Sequence, residues 1–235
     1  LPILKDFQGE LLVLNGDVPL VKTATLKKLV KSHREREAQA SLLTTKLSDP
    51  TGYGRVFTNE DGYIEKIIEE NDCKGKENQN TLTNAGIYCF NWIELSRILP
   101  TITNKNAQQG FYLTDTISKL TKTIHVEVDI SNEVMGINDR IQLADCEEYL
   151  QQNLRNHWMK EGVTFISPLS CTISENCTFG KDVIIEPQTH IKGNCKIGDN
   201  CRLGPGSLIE DSIIGSNVKV VYSVINDSEI GNNIK

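Results

Sequence analysis

The sequence predicts an α/β domain built on a mainly parallel sheet, followed by a long helix and a parallel β-helix. Three patterns carry that prediction. Strand-like and helix-like segments alternate up to about residue 140, one apolar stripe of helical spacing follows, and a six-residue apolar period runs from about residue 162.

The alternation begins with "ELLVLNGD", whose aliphatic run reads as a strand buried on both faces of the sheet. "TATLKKLVKSHREREAQ" follows as a helix, with "SHRERE" as its solvated face, and "ASLLTTKL" as a second strand. In "GYGRVFTNEDGYIEKIIEE" the "NEDG" reads as a hairpin turn between two strands. After a polar loop from Cys73 to Asn80, "NAGIYCFN" is a strand and "WIELSRILPTI" a helix stopped by Pro100. "FYLTDTISKLTK" reads as helical, and "IHVEVDI" alternates as a strand. Leu143, Cys146, Leu150, Leu154 and Trp158, spaced by three and four, then make one apolar stripe on a linker helix. On that helix, packing is the simplest role for His157 and Trp158.

The second half obeys a different period. Ile173, Phe179, Ile185, Ile191, Ile197, Leu203 and Ile209 recur at every sixth position, and after a one-residue slip at Ile213 and Ile214 the pattern resumes at Val220 and Ile230. Each hexad supplies a short strand and a turn, and three hexads make a coil of about 18 residues whose apolar anchors stack into a continuous core. Gly or Asn at the bends tolerates backbone angles that a β-carbon forbids. Cys171, Cys177, Cys195 and Cys201 share one register with Val183, Thr189 and Ser207, so that slot takes a small side chain. These cysteines read as core packing rather than zinc ligands or disulfides, and Cys73, Cys89 and Cys146 have no CxxC partner.

Composition narrows the function. The 235 residues are 38% hydrophobic and 24% charged, which excludes disorder, and no apolar run approaches the roughly 20 residues that span a bilayer. No signal peptide is visible, so the expected location is cytoplasmic, without membrane insertion. A net charge of −6 with no long basic tract argues against a nucleic-acid binder. Phosphate ligands would then need their charge met locally, by a metal. The chain opens on Leu and stops at "EIGNNIK" within the repeat, which reads as an internal piece of a longer protein.

Chemistry concentrates where "LLVLNGDVPL" leaves the sheet. Gly16 would let the backbone turn, and Asp17 would stand at the carboxyl end of the strand, the rim where open α/β sheets bind ligands. A carboxylate there suits Mg²⁺, which takes a few hard oxygens and keeps its other positions for water and phosphate. Asn138 in "MGINDR" offers a second oxygen. Alternatively, Asp17 turns the chain or caps the following helix.

"LNGDVPL", "PTGYGRV", "KIIEE", "TNAGIYCFNW", "FYLTD" and "GINDR", followed by the hexads, resemble in order the bifunctional N-acetylglucosamine-1-phosphate uridyltransferase/glucosamine-1-phosphate N-acetyltransferase family. The resemblance covers essentially the whole chain. It implies a nucleotidyltransferase-type, Rossmann-like sheet over residues 1–140, a linker helix over 141–161 and a left-handed β-helix over 162–235. Asp17 and Asn138 would bind Mg²⁺, with Asn15 and Gly16 walling the nucleotide site. Gly54 would offer its N–H to the sugar, while Glu69 and Asn84 would hydrogen-bond the N-acetylglucosamine ring. Implied substrates and product are UTP, N-acetylglucosamine 1-phosphate and UDP-N-acetylglucosamine, with acetyl-CoA as co-substrate of the intact parent and a homotrimer formed through the β-helix. The family's Gly-rich triphosphate loop and its acetyltransferase residues have no counterpart in this chain, and His190 matches no acetyl-transfer motif. The isolated chain is therefore expected to be inactive in both reactions. A different sugar-1-phosphate nucleotidyltransferase with a structural β-helix, or a non-catalytic sugar-nucleotide-binding paralogue, remain the alternatives.

Overall fold

The computed structural model describes residue 4, residues 6–129 and residues 131–235, so Ile130, the expected end of "IHVEVDI", lies outside the described residues. Contacts divide the chain into two compact units, one ending at Leu143 and the other spanning Ala144–Lys235.

In the first unit, strands β1 (Glu10–Val13), β2 (Ala40–Lys46), β3 (Arg55–Thr58), β4 (Ile64–Ile68), β5 (Leu82–Asn91) and β6 (Thr123–Glu127) accompany helices α1 (Thr23–Glu35) and α2 (Trp92–Ile98). They form one sheet of order β4-β3-β5-β2-β6, with β1 joined to β5. Strands β1, β2, β3 and β6 run one way, while β5 and β4 run against them. The sheet is thus mainly parallel in strand direction, yet β2 with β6 is its one parallel ladder among the described residues, because β5 threads between its neighbours.

Strand alternation fills both faces. On β5, Tyr88 and Phe90 join Leu42, Val56 and Trp92 in one cluster, whereas Ile87 and Cys89 join Leu29, Leu43 and Val126 in the other. Continuous burial, expected of the first strand, belongs instead to β2, whose residues from Ala40 to Thr45 are all buried. Leu11, Leu12 and Val13 touch both cores but stay half-buried, because β1 pairs with β5 alone among the described strands.

Three further readings are corrected. α1 ends at Glu35, and His33, expected on a solvated face, is buried with Nδ1 2.7 Å from the Ser41 hydroxyl. α2 stops at Ile98, and Pro100 sits in a 3-10 turn over Leu99–Thr101. "FYLTDTISKLTK" is a 3-10 stretch over Leu113–Lys119 rather than an α-helix. There the Thr116 and Ser118 hydroxyls donate to the carbonyls of Leu113 and Asp115, the local competition that weakens an α-helical ladder.

The second unit is a parallel β-helix of about four turns, led by the greater part of α3 (Arg140–Lys160). One sheet stacks β7 (Thr164–Phe165), β10 (Ile184–Ile185), β13 (Arg202–Leu203) and β16 (Lys219–Val220). The next stacks β8 (Thr172–Ile173), β11 (His190–Lys192), β14 (Leu208–Glu210) and β17 (Val224–Asn226). The third stacks β9 (Thr178–Phe179), β12 (Lys196–Ile197), β15 (Ile213–Ile214) and β18 (Glu229–Ile230). The hexad anchors align rung on rung, as in Ile173, Ile191, Ile209 and Ile225. At the slip, Ile214 takes the buried position and Ile213 is left exposed. All seven small-slot residues from Cys171 to Ser207 are buried, and all seven cysteines are free.

Gly193, Gly204 and Gly206 turn with positive φ as expected, whereas Gly180, Gly198 and Gly215, which follow the anchors of the third sheet, serve closeness instead. There Asp182, Asn200, Asn217 and Asn233 carry the positive φ, whereas a β-carbon on Gly198 would lie 2.7 Å from the Gly215 carbonyl carbon of the next coil. Helix α3 departs from its expected stripe: Cys146 is buried, but so are Gln151 and Arg155, while Leu143 is exposed. The Gln151 carboxamide accepts from the Ile173 N–H at 2.9 Å and donates to the Ile173 carbonyl at 3.0 Å, as a neighbouring strand would. Arg155 donates to the Cys171 carbonyl at 3.1 Å, and Trp158 packs edge-on against Phe179.

Candidate functional site

A cavity of about 370 Å³ opens in the first unit, and it gathers six of the seven residues singled out from the sequence: Asn15, Asp17, Gly54, Glu69, Asn84 and Asn138. Gly16 does not line it. It has neither a positive φ nor a neighbour that a β-carbon would meet, so the backbone there does not require glycine.

Each wall has a local cause. The segment after β1 carries Asn15 and Asp17, both exposed, and Val18 then anchors the chain in the core. Asp17 is not a helix cap, since Lys22 occupies the N-cap of α1, and its carboxylate makes no hydrogen bond or ion pair among the described residues. The Asp17 carbonyl accepts from the Ile137 N–H at 2.9 Å, which ties its loop to the one bearing Asn138.

That second loop is fastened twice more. The Gly136 N–H donates to the Tyr53 hydroxyl at 3.2 Å, and Lys22 pairs with Glu133 at 2.9 Å. Burial opposes ionisation of Glu133, but the Thr25 hydroxyl and the Lys22 ammonium outweigh it and hold the carboxyl below its ordinary value. Opposite stands the β3/β4 hairpin. Buried Arg55 donates to the Tyr53 carbonyl and pairs with Glu70 at 2.7 Å, locking Gly54 and Glu69 against each other. A β-carbon on Gly54 would come within 3.1 Å of Glu69 Oε2, and Thr114 donates to Glu69 Oε1 at 2.7 Å.

Asn84 closes the floor. Its Oδ1 accepts from the Gly86 N–H at 3.0 Å, and its Nδ2 donates to the Tyr88 hydroxyl at 2.6 Å. Gly86 has φ +71°, and a β-carbon there would meet Asn15 Nδ2 at 2.2 Å, so glycine is required for Asn15 to reach the wall. Tyr53, Gly86, Tyr88, Phe111, Tyr112 and Thr114 also line the cavity and were not singled out from the sequence. Thr114 and Tyr88 lay in quoted motifs but were given no role of their own. Only the fold sets their polar atoms beside Glu69 and Asn84. Among the described residues no cluster of three or more His, Cys, Asp or Glu side chains is placed to hold a metal.

Residues 2–159 match the family model described as nucleotidyl transferase. The chain belongs to that family. A second model, bacterial transferase hexapeptide (six repeats), matches residues 176–211. Among curated relatives, the bifunctional protein GlmU of Synechococcus sp. (strain CC9605) is 57% identical over 234 residues, covering 100% of this chain and 52% of its own length. Bifunctional protein GlmU of Prochlorococcus marinus (strain MIT 9313) is 56% identical over 234 residues, with 100% and 52% covered. That of Acaryochloris marina (strain MBIC 11017) is 48% identical over 233 residues, with 99% and 51% covered. The resemblance to a bifunctional enzyme drawn from the motifs is thereby borne out, and the chain spans about half the length of the curated relatives it matches.

Proposed function

We propose that the protein carrying this chain transfers UMP from UTP to N-acetylglucosamine 1-phosphate in the cytoplasm. A phosphate oxygen of the sugar phosphate attacks the α-phosphorus of UTP, the bond to the β-phosphate oxygen breaks, and pyrophosphate leaves as UDP-N-acetylglucosamine forms. The observation that carries this reading is that Asp17 and Asn138 line one cavity together with Gly54, Glu69 and Asn84.

The donor set fits Mg²⁺. An exposed carboxylate without a protein partner among the described residues and an amide side chain sit on two loops joined by the hydrogen bond from Ile137 to Asp17. Asp17 and Asn138 would hold the ion, which supplies charge neutralisation between the two reacting phosphates. Asn15 forms the adjoining wall of the nucleotide site. Glu69, oriented by Thr114, accepts from sugar hydroxyls, while Asn84 and the Gly54 N–H hold the ring. These groups fix the attacking phosphate relative to UTP, and orientation removes much of the entropic barrier.

The relatives' bifunctional name supports a second activity in the full-length protein, acetyl-CoA-dependent acetylation of glucosamine 1-phosphate on further β-helix coils, with a homotrimer assembled through the β-helix. In full-length protein, Asp17→Ala is expected to reduce UTP-dependent pyrophosphate release at least about 100-fold while acetyl transfer persists. Equal loss of both rates would overturn the assignment.

A further inference from the structure

Two tyrosines lining the cavity carry hydroxyls whose protons meet no acceptor among the described residues: Tyr112, whose hydroxyl has no hydrogen-bond partner there, and Tyr88, whose hydroxyl is held by Asn84. Tyr88 lines the cavity yet is buried, 4% exposed, with its ring stacked on Phe90 at 5.5 Å and its hydroxyl beside Asn84. The orientation of Asn84 follows from its neighbours: Gly86 offers an N–H, so the atom facing it is Oδ1 and the atom facing Tyr88 is the donor Nδ2. The phenol oxygen is therefore an acceptor in that bond, and its own hydrogen meets no acceptor among the described residues. A buried donor left unmatched is costly, so such a donor on a residue lining a cavity marks where a ligand acceptor belongs.

Resting on the function proposed above, we infer that Tyr88 is a further substrate-binding residue, donating to an acceptor oxygen on the sugar half of the nucleotide sugar while holding Asn84 in its working orientation. Two roles meet in one hydroxyl. With both ends of its carboxamide engaged, Asn84 keeps one N–H and one lone-pair direction for the sugar, and Tyr88 adds a donor beside them. Burial pushes the phenol upward, opposed by the Asn84 hydrogen bond, so the group stays protonated and remains a donor at every working pH.

The test is Tyr88→Phe in the full-length protein, which deletes the hydroxyl and keeps the ring on Phe90. Calorimetry with UDP-N-acetylglucosamine is expected to show about 10-fold weaker binding, with KM for N-acetylglucosamine 1-phosphate rising in parallel and kcat changing less than about threefold. In an Asn84→Ala background the same substitution is expected to weaken binding by less than about twofold, since the two side chains act as one unit. In unsubstituted protein, isotope-labelled tyrosine Cζ resonances should include one that moves on addition of UDP-N-acetylglucosamine and is missing from Tyr88→Phe. Unchanged binding and KM in Tyr88→Phe overturns the inference and leaves the proposed function standing. Failure of the unsubstituted protein to bind UDP-N-acetylglucosamine overturns both.

Discussion

Gly86 shows how much a single backbone position can decide. Its φ of +71° lies in the left-handed region, and the space where a β-carbon would stand is taken by Asn15 Nδ2. Gly86→Ala therefore faces both backbone strain and a clash, and the expected cost is about 2 kcal/mol. Urea denaturation followed by signals from the first unit would read it, and displacement of Asn15 would weaken nucleotide-sugar binding beyond the stability effect. At this scale the sequence was partly legible. Asp17, Gly54, Glu69, Asn84 and Asn138 stood in quoted motifs and do line the cavity, but Gly16 was credited with a turn that needs no glycine. Tyr88 and Thr114 went unseen because a polar tip on an apolar pattern looks like core until its partners are known.

Among the elements, α3 teaches the most. Of its expected apolar stripe Cys146 is buried and Leu154 and Trp158 pack on the β-helix core, yet Leu143 is exposed and the residues most deeply engaged are the polar Gln151 and the charged Arg155, one position round the helix. Spacing alone cannot show that a carboxamide will meet a strand's free backbone groups, since those groups come from a distant segment. Gln151→Ala leaves the Ile173 N–H and carbonyl without partners in a buried setting, and the expected cost is about 2–4 kcal/mol. Hydrogen exchange would check this: the Ile173 amide should exchange far faster in the variant, while amides of β12 and β15 change less. The 3-10 stretch over Leu113–Lys119 was hidden for a related reason. Its hydroxyl-to-carbonyl bonds set the geometry locally, and a pattern of apolar spacing does not register them.

Across the whole molecule, the two periods of the sequence map onto two compact units, and the hexad anchors named in advance are the stacked core of the second. The first unit carries a pH liability. Burial lowers His33 below 6.5, a downward pull that the neighbouring Glu10 charge opposes and Arg34 reinforces, so the folded state prefers the neutral ring. The unfolded chain then binds more protons as pH falls through that region, and stability rises with pH. The contribution is complete well above pH 6.5 and is lost on acidification below it. His125, also lowered chiefly by burial, adds in the same direction. Thermal midpoints of the first unit are expected to fall between pH 7 and pH 5 by several degrees, on the order of 1 kcal/mol. His33→Gln, which keeps a hydrogen-bonding group facing Ser41, should flatten part of that slope.

The side-chain clasp between Gln151 and Ile173 bears on how such a protein stays dispersed. A stack of parallel coils is a ladder that another polypeptide could extend wherever backbone groups are left open, and extension without closure yields filaments. By filling those groups with an amide that has no further strand behind it, Gln151 of α3 closes the β8 edge to extension, and Arg155 on the Cys171 carbonyl does the same beside it.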